Sequence, residues 1–488
     1  MRIFLPTLLL ALLLSACGEE NGLSCPNCFI AQDGGVPPTV GERSDEIVEN
    51  DFITVRQEPT STFSTDADGA AYAQVRRSIQ QMNRLPGANA VRTEELINYF
   101  ALDYPYDDPS TPINLNGEIS ACPWAPEHRL LRIGIQGRPP AADAPPANFV
   151  LLIDVSGSMS APDKLGMLQE GFRRFVDRMR PTDRIAIVTY AGEAGVVLPS
   201  TPGSERQRIL DAINGLGSGG STAGAAGLST AYEIAGDNFI TGGNNRIIVG
   251  TDGDFNVGPT SRQELLDLIE DRRATGVYLT ILGVGVGYND SYLEQIANHG
   301  NGTFEYLDKV EELDRVFVHE VGRFTAVAQD VKVQVTFDPA LVRAYRLIGY
   351  ENRLLNNEDF TDDTKDAGEI GAGQSVTALY ELIPETAGGS RSLPALTVDF
   401  RYKPVGSPTS LPLELGVFDL AKTFAQSSPQ HRFVAGVVAF AQLLRDSPHR
   451  GTATYDDAYA WVSGSGLADP HGYVDECAEL IRRAGALR

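Results

Sequence analysis

The chain has 488 residues, 42% of them hydrophobic, which is enough for several ordinary globular cores. Its formal net charge of −24 argues against binding to nucleic acid or to anionic lipid, both of which reward basic surfaces. An acidic surface keeps a protein soluble and attracts cations, and it does not by itself locate a site.

The N-terminal run "MRIFLPTLLLALLLSACGEE" carries one basic residue, Arg2, and then an apolar stretch too short to span a bilayer as a helix. It reads as a secretory signal over residues 1–16. Its end, Leu14-Ser15-Ala16-Cys17, resembles the bacterial lipobox, which implies lipidation of Cys17 and anchorage to the envelope. Gly18 stands where an inner-membrane retention signal would place Asp, so the expected location is the outer membrane. Residues 17–50, rich in Gly, Asn, Pro and acids, read as a flexible tether. Cys25, Cys28, Cys122 and Cys477 form an even set of candidate disulfide partners, with Cys25 and Cys28 as a local pair and Cys122 joined to Cys477.

A flanking segment is expected over residues 51–140. In "STFSTDADGAAYAQVRRSIQQMN" the spacing of Tyr72, Val75 and Ile79 predicts a helix capped at Ser64 or Thr65, and "VRTEELINYF" predicts a second, short one. "INLNGEISACPW" and "HRLLRIGIQG" alternate like paired strands. From 147 to 326, near-continuous apolar runs ("FVLLID", "RIAIVTY", "RIIVGTDG", "VYLTILGVG", "GTFEYL") alternate with amphipathic helical segments, the last of them "VEELDRVFVHEVGRF". That pattern predicts an α/β, doubly wound and mostly parallel sheet covered on both faces, with ligands held at the carboxyl ends of its strands. Residues 327–488 read as antiparallel strands followed by helices. Strands on both sides of the α/β unit suggest that the flanks build one β-rich domain into which it is inserted. The acidic loop "NNEDFTDDTKDAGEIGAG" fails as an EF-hand, because Thr364 stands where the turn needs Gly.

Oxygen-bearing side chains gather at the predicted strand ends. Asp154, Ser156 and Ser158 follow the first strand, Thr222 lies in the glycine-rich "GSGGSTAGAAG", and Asp252 ends "IIVGTD". Taken singly, each also fits a cap or a turn. Together, Asp-x-Ser-x-Ser, the loop threonine and the Thr-Asp-Gly aspartate resemble the metal-ion-dependent adhesion site (MIDAS) of von Willebrand factor type A domains. The flanks "STFSTDADGAAYAQVRR", "EELINYF", "AYRLIGYENRLL" and "VTALYEL" resemble those of a bacterial lipoprotein group that carries this domain.

The resemblance implies a Rossmann-like fold and a site for Mg²⁺, or Mn²⁺ or Ca²⁺, at Asp154, Ser156, Ser158, Thr222 and Asp252. Ser156, Ser158 and Thr222 would bind the ion directly, the two aspartates largely through water, and an acidic side chain of a partner protein would complete it. Such a donor set suits a hard, oxygen-seeking cation. The expected function is therefore metal-dependent protein binding, not catalysis. No G-x-S-x-G elbow surrounds the serines, and His128, His299, His319, His431, His449 and His471 are scattered. A metal-dependent hydrolase and a structural envelope protein with a vestigial site are the alternatives.

Overall fold

The computed structural model describes residues 47–65, 68–141, 144–191, 193–219, 224–253, 262–285, 290–365, 367–385 and 392–488. The first flank contributes strands β1 (Ile53–Thr54) and β2 (Thr60–Ser64), helices α1 (Ala70–Gln80) and α2 (Thr93–Asn98), and strands β3 (Ile113–Ala121) and β4 (Arg129–Gly137). The central unit follows as β5 (Ala147–Asp154), α3 (Leu165–Arg178), β6 (Arg184–Ala191), β7 (Glu193–Pro202), α4 (Arg206–Asn214), α5 (Gly224–Asp237) and β8 (Asn244–Thr251). It continues through α6 (Arg262–Arg273), β9 (Val277–Val284), α7 (Asp290–His299), β10 (Phe304–Leu307) and the short α8 (Val310–Asp314). The second flank holds β11 (Ala326–Phe337), β12 (Val342–Ile348), β13 (Gly368–Gly371), β14 (Ser375–Pro384), β15 (Leu396–Lys403) and β16 (Leu411–Val417). Helices α9 (Pro429–Leu444), α10 (Tyr455–Ser463) and α11 (Tyr473–Ala486) end the chain.

The central sheet has the order β10-β9-β8-β5-β6-β7, parallel throughout except for the antiparallel pair β6–β7. Strand β5 is apolar on both faces because both are covered. Val150 and Leu152 enter one cluster with α5, α6 and α7, while Phe149, Leu151 and Ile153 enter another with α3. This is the expected doubly wound α/β architecture. Strand β7 was not legible as a strand: it is an edge, with Val196 and Val197 exposed, and lacks the apolar continuity of its neighbours.

The flanks are woven together. In the sheet β1-β12-β14-β4-β3, strand β4 from before the central unit pairs along its length with β14 from after it. A second antiparallel sheet runs β13-β11-β15-β16, with β2 also on β11. One apolar cluster takes Ile119, Leu131, Ile133 and Ile135 from the first sheet and Val333, Val335, Val398 and Phe400 from the second, so the two pack face to face. A further cluster joins α1 and α2 to α9, α10 and α11 around Trp124.

Three expectations are corrected. Ser64 is the last residue of β2, not a helix cap, since Phe63 turns into the sandwich core, and helix α1 starts after Gly69 without a side-chain cap. The helical pattern "VEELDRVFVHEVGRF" breaks after α8 into a π-helical turn, Arg315–His319, and a 3-10 turn, Val321–Phe324. There the buried Arg315 guanidinium serves Glu305, Glu312 and Glu320. Cys122 and Cys477 are free thiols, so the long-range disulfide is absent. Both fill the apolar helical cluster as small hydrophobic side chains, and burial pushes both thiols above their ordinary range. Cys17, Cys25 and Cys28 lie outside the described residues, as do the expected signal and most of the tether. Among the described residues no helix is long and apolar enough to cross a membrane.

Candidate metal centre

Strand β5 stops at Asp154 because the next residues leave the sheet. Ser156 precedes a 3-10 turn, Gly157–Ser160, that is pinned by Met159, buried beneath it. Asp154 is fully buried, Ser156 is buried, and Ser158 stands exposed at the rim. The Asp154 carboxylate accepts the Ser156 backbone N–H at 2.8 Å on Oδ1, and the Thr251 hydroxyl at 3.4 Å on Oδ2. The Ser156 and Ser158 hydroxyls lie 2.9 Å apart. Two hydroxyls one residue apart therefore present their oxygens to the same point.

Strand β8 pairs in parallel with β5, Ile153 facing Gly250, so its tip reaches the same edge. The next residue after Thr251 is Asp252, buried, and one of its oxygens, Oδ2, accepts a hydrogen bond from Lys164 Nζ at 2.8 Å. The other, Oδ1, is buried without a hydrogen-bond partner among the described residues. Burial pushes the Asp154 carboxyl above its ordinary value, and the Asp252 charge adds to it. Burial and then the same Asp154 charge also raise the neighbouring Tyr190 phenol.

The glycine-rich loop is tied in as well, since the Gly219 N–H donates to the Val155 carbonyl at 2.7 Å. Thr222 itself lies outside the described residues. Four of the five expected donors thus stand at adjacent strand ends, with one cation, Lys164, against two carboxylates.

The residues fit a hard divalent cation. A buried carboxylate oxygen without a partner among the described residues, at the same sheet edge as a hydroxyl pair and a second buried carboxylate, makes an oxygen-lined site short of positive charge. Among the described residues no three His, Cys, Asp or Glu side chains cluster as a metal site. Sequence reasoning missed Lys164 and Thr251. Lys164 opens helix α3, and its stem crosses Gly285 at the tip of β9, a contact no spacing rule announces.

The chain is 37% identical over 470 residues to the uncharacterized protein YfbK of Escherichia coli (strain K12), covering 91% of this chain and 81% of that one. The chain belongs to the YfbK family. Within it, the von Willebrand factor type A domain model matches residues 149–254, which contain the strand-end cluster, and the model of the YfbK C-terminal region matches residues 322–487. A further model, described as von Willebrand factor, matches residues 39–132. The YfbK-family chain also resembles a von Willebrand factor type A structure from Catenulispora acidiphila, at 17% identity and a TM-score of 0.44 over 77% of this chain and 91% of that one. Proximal thread matrix protein 1 of the mussel byssus, solved with a zinc-occupied MIDAS motif, is 25% identical over 36% of this chain and 45% of its own, with a TM-score of 0.31.

Proposed function

We propose that this chain is a lipid-anchored, divalent-metal-dependent protein-binding module of the bacterial envelope. Asp154, Ser156, Ser158 and Asp252, with Thr222 from the glycine-rich loop, would hold Mg²⁺, or Mn²⁺ or Ca²⁺ in its place. The ion would supply a Lewis-acidic position for an acidic side chain of the partner. The observation that carries this reading is the 2.9 Å hydroxyl pair beside buried Asp154, with the unpartnered Asp252 oxygen at the same sheet edge.

We read the module as non-enzymatic. Several histidines are engaged elsewhere: His128 with Glu381, His299 with the Gln295 carbonyl, His319 with Tyr473 and His431 with Ser120. Cys17 would carry the lipid.

Calorimetry of the full chain with Mg²⁺ or Mn²⁺ tests the site, and pull-down from envelope extracts in Mg²⁺ and in EDTA tests the function. Binding of the ion and of a partner by wild type, with both lost in the Ser156→Ala/Ser158→Ala variant, supports the reading. A fold-intact wild type that takes up no ion refutes it. Phosphatase or esterase turnover that disappears in Asp154→Ala would show a hydrolase instead. A Cys17→Ser variant should leave the membrane fraction, and unchanged fractionation refutes the lipid anchor.

A further inference from the structure

Arg246 is the third residue of β8, at the end of the strand opposite Asp252. It is 3% exposed, and its Nη1 donates to Thr280 Oγ1 at 2.7 Å while its guanidinium lies over the Tyr278 ring at 5.4 Å. Among the described residues its Nε–H has no hydrogen-bond partner, and no carboxylate comes within ion-pairing distance of it. Burial accordingly lowers its pKa to about 10.

The surroundings give this charge a use. Arg246 lines a cavity of about 260 Å³ between the amino end of the central sheet and the flanking strands. The Thr65 hydroxyl, after β2, and the Thr303 hydroxyl, before β10, line the same cavity, and both are buried without a hydrogen-bond partner among the described residues. Two other cations on the wall are matched: Arg323 pairs with Glu305 at 2.6 Å and Arg353 with Glu294 at 3.4 Å. Three donors, the Arg246 Nε–H and the two hydroxyls, thus belong to residues that line one space. A buried cation with idle donors beside it is costly unless an anion completes it.

The wall also carries the carboxylates Asp68, Glu270 and Glu369, and the Glu369 charge is felt at Arg246. These acids disfavour an occupant of more than one negative charge and tolerate a neutral or cationic body. The volume is near the lower end for small-molecule sites.

We propose that this cavity is a binding site for a small monocarboxylate of amino-acid size, its carboxylate on Arg246, Thr65 and Thr303 and its uncharged or ammonium-bearing body toward Glu369. The site joins the central domain to the flanking sandwich and lies at the opposite end of β8 from the candidate metal centre, so it needs no metal.

The test is thermal denaturation and calorimetry of the full chain, in EDTA, against glycine, alanine, serine, glutamate, acetate, pyruvate and inorganic phosphate, each with salt held constant. At least one amino acid or monocarboxylate should raise Tm saturably, while phosphate does no more than matched salt. In Arg246→Met the shift should vanish, and the ligand-free variant should melt no lower than wild type, because an uncompensated buried charge has gone. Thr303→Val, which keeps the side-chain volume, should weaken binding about tenfold or more, the loss of one hydrogen bond to a charged acceptor. The assignment is overturned if no probe gives a saturable shift, if Arg246→Met or Thr303→Val binds as wild type does, or if phosphate alone binds.

Discussion

Replacing Lys164 by methionine keeps the length of the side chain and removes one positive charge from the edge where Asp154 and Asp252 meet. In wild type the ammonium donates to Asp252 Oδ2 at 2.8 Å, with the two side chains 16% and 4% exposed. A charge-assisted hydrogen bond of this burial contributes about 1.5–3 kcal/mol, and removing one partner leaves the other's charge uncompensated. Without metal, Lys164→Met should therefore be less stable by about 2 kcal/mol. A divalent ion restores the missing charge, so the deficit should shrink as Mg²⁺ is added. By linkage the variant then binds Mg²⁺ more tightly than wild type, by about tenfold for each 1.4 kcal/mol recovered. Urea denaturation of both proteins in EDTA and in saturating Mg²⁺ closes the cycle, and calorimetry measures the affinity directly. A deficit identical in the two buffers, or weaker Mg²⁺ binding by the variant, would refute the idea that Lys164 and the ion share one pair of carboxylates.

Other outcomes follow from the same structure. Gly285 has φ +76°, and a Cβ there would sit 2.5 Å from Lys164 Cε, so Gly285→Ala should cost about 1–2 kcal/mol and reproduce the metal dependence of Lys164→Met. An unchanged urea midpoint would show that the lysine stem moves aside freely. Burial, followed by the Arg132 charge, pushes the His431 imidazole down to about 3, against about 6.5 when unfolded. The folded state therefore binds fewer protons, and the stability His431 contributes is present above pH 6.5 and lost as pH falls toward 3. Measured against His431→Gln, wild type should lose about 2 kcal/mol between pH 7 and pH 5; a pH-independent difference contradicts the assignment. Arg315→Met should destabilise by about 3 kcal/mol, because Glu305 and Glu312, both fully buried, lose a shared cation. A loss below 1 kcal/mol in urea titration would mean that Arg76 and Arg323 suffice.

The central domain was legible because its strands are buried on both faces and so read as unbroken apolar runs, Phe149–Ile153 above all. Its strand-end oxygens were legible because a parallel sheet sends separate segments of the chain to one edge, which makes Asp154 and Asp252 neighbours without any local signal. What escaped was set by contacts between distant segments. Strand β7 has exposed Val196 and Val197 and no apolar period. Lys164 meets Asp252 only after helix α3 is placed, and Arg315 breaks its helix to satisfy acids on β10 and beyond. The two cysteines were counted as a pair by number, whereas each thiol fills its own place in an apolar core. Nothing in the spacing around Arg246 announces the cavity it lines.

The pairing of β4 with β14 has a mechanical consequence. The segments before and after the central domain share one antiparallel ladder, so tension between the two flanks is borne by the sandwich. The inserted domain hangs as a side branch off this line of force. Its oxygen-lined edge lies off that line, and a load applied there passes into the flanks through the chain crossings and through buried ion pairs such as those of Arg76 with Asp308 and Glu312.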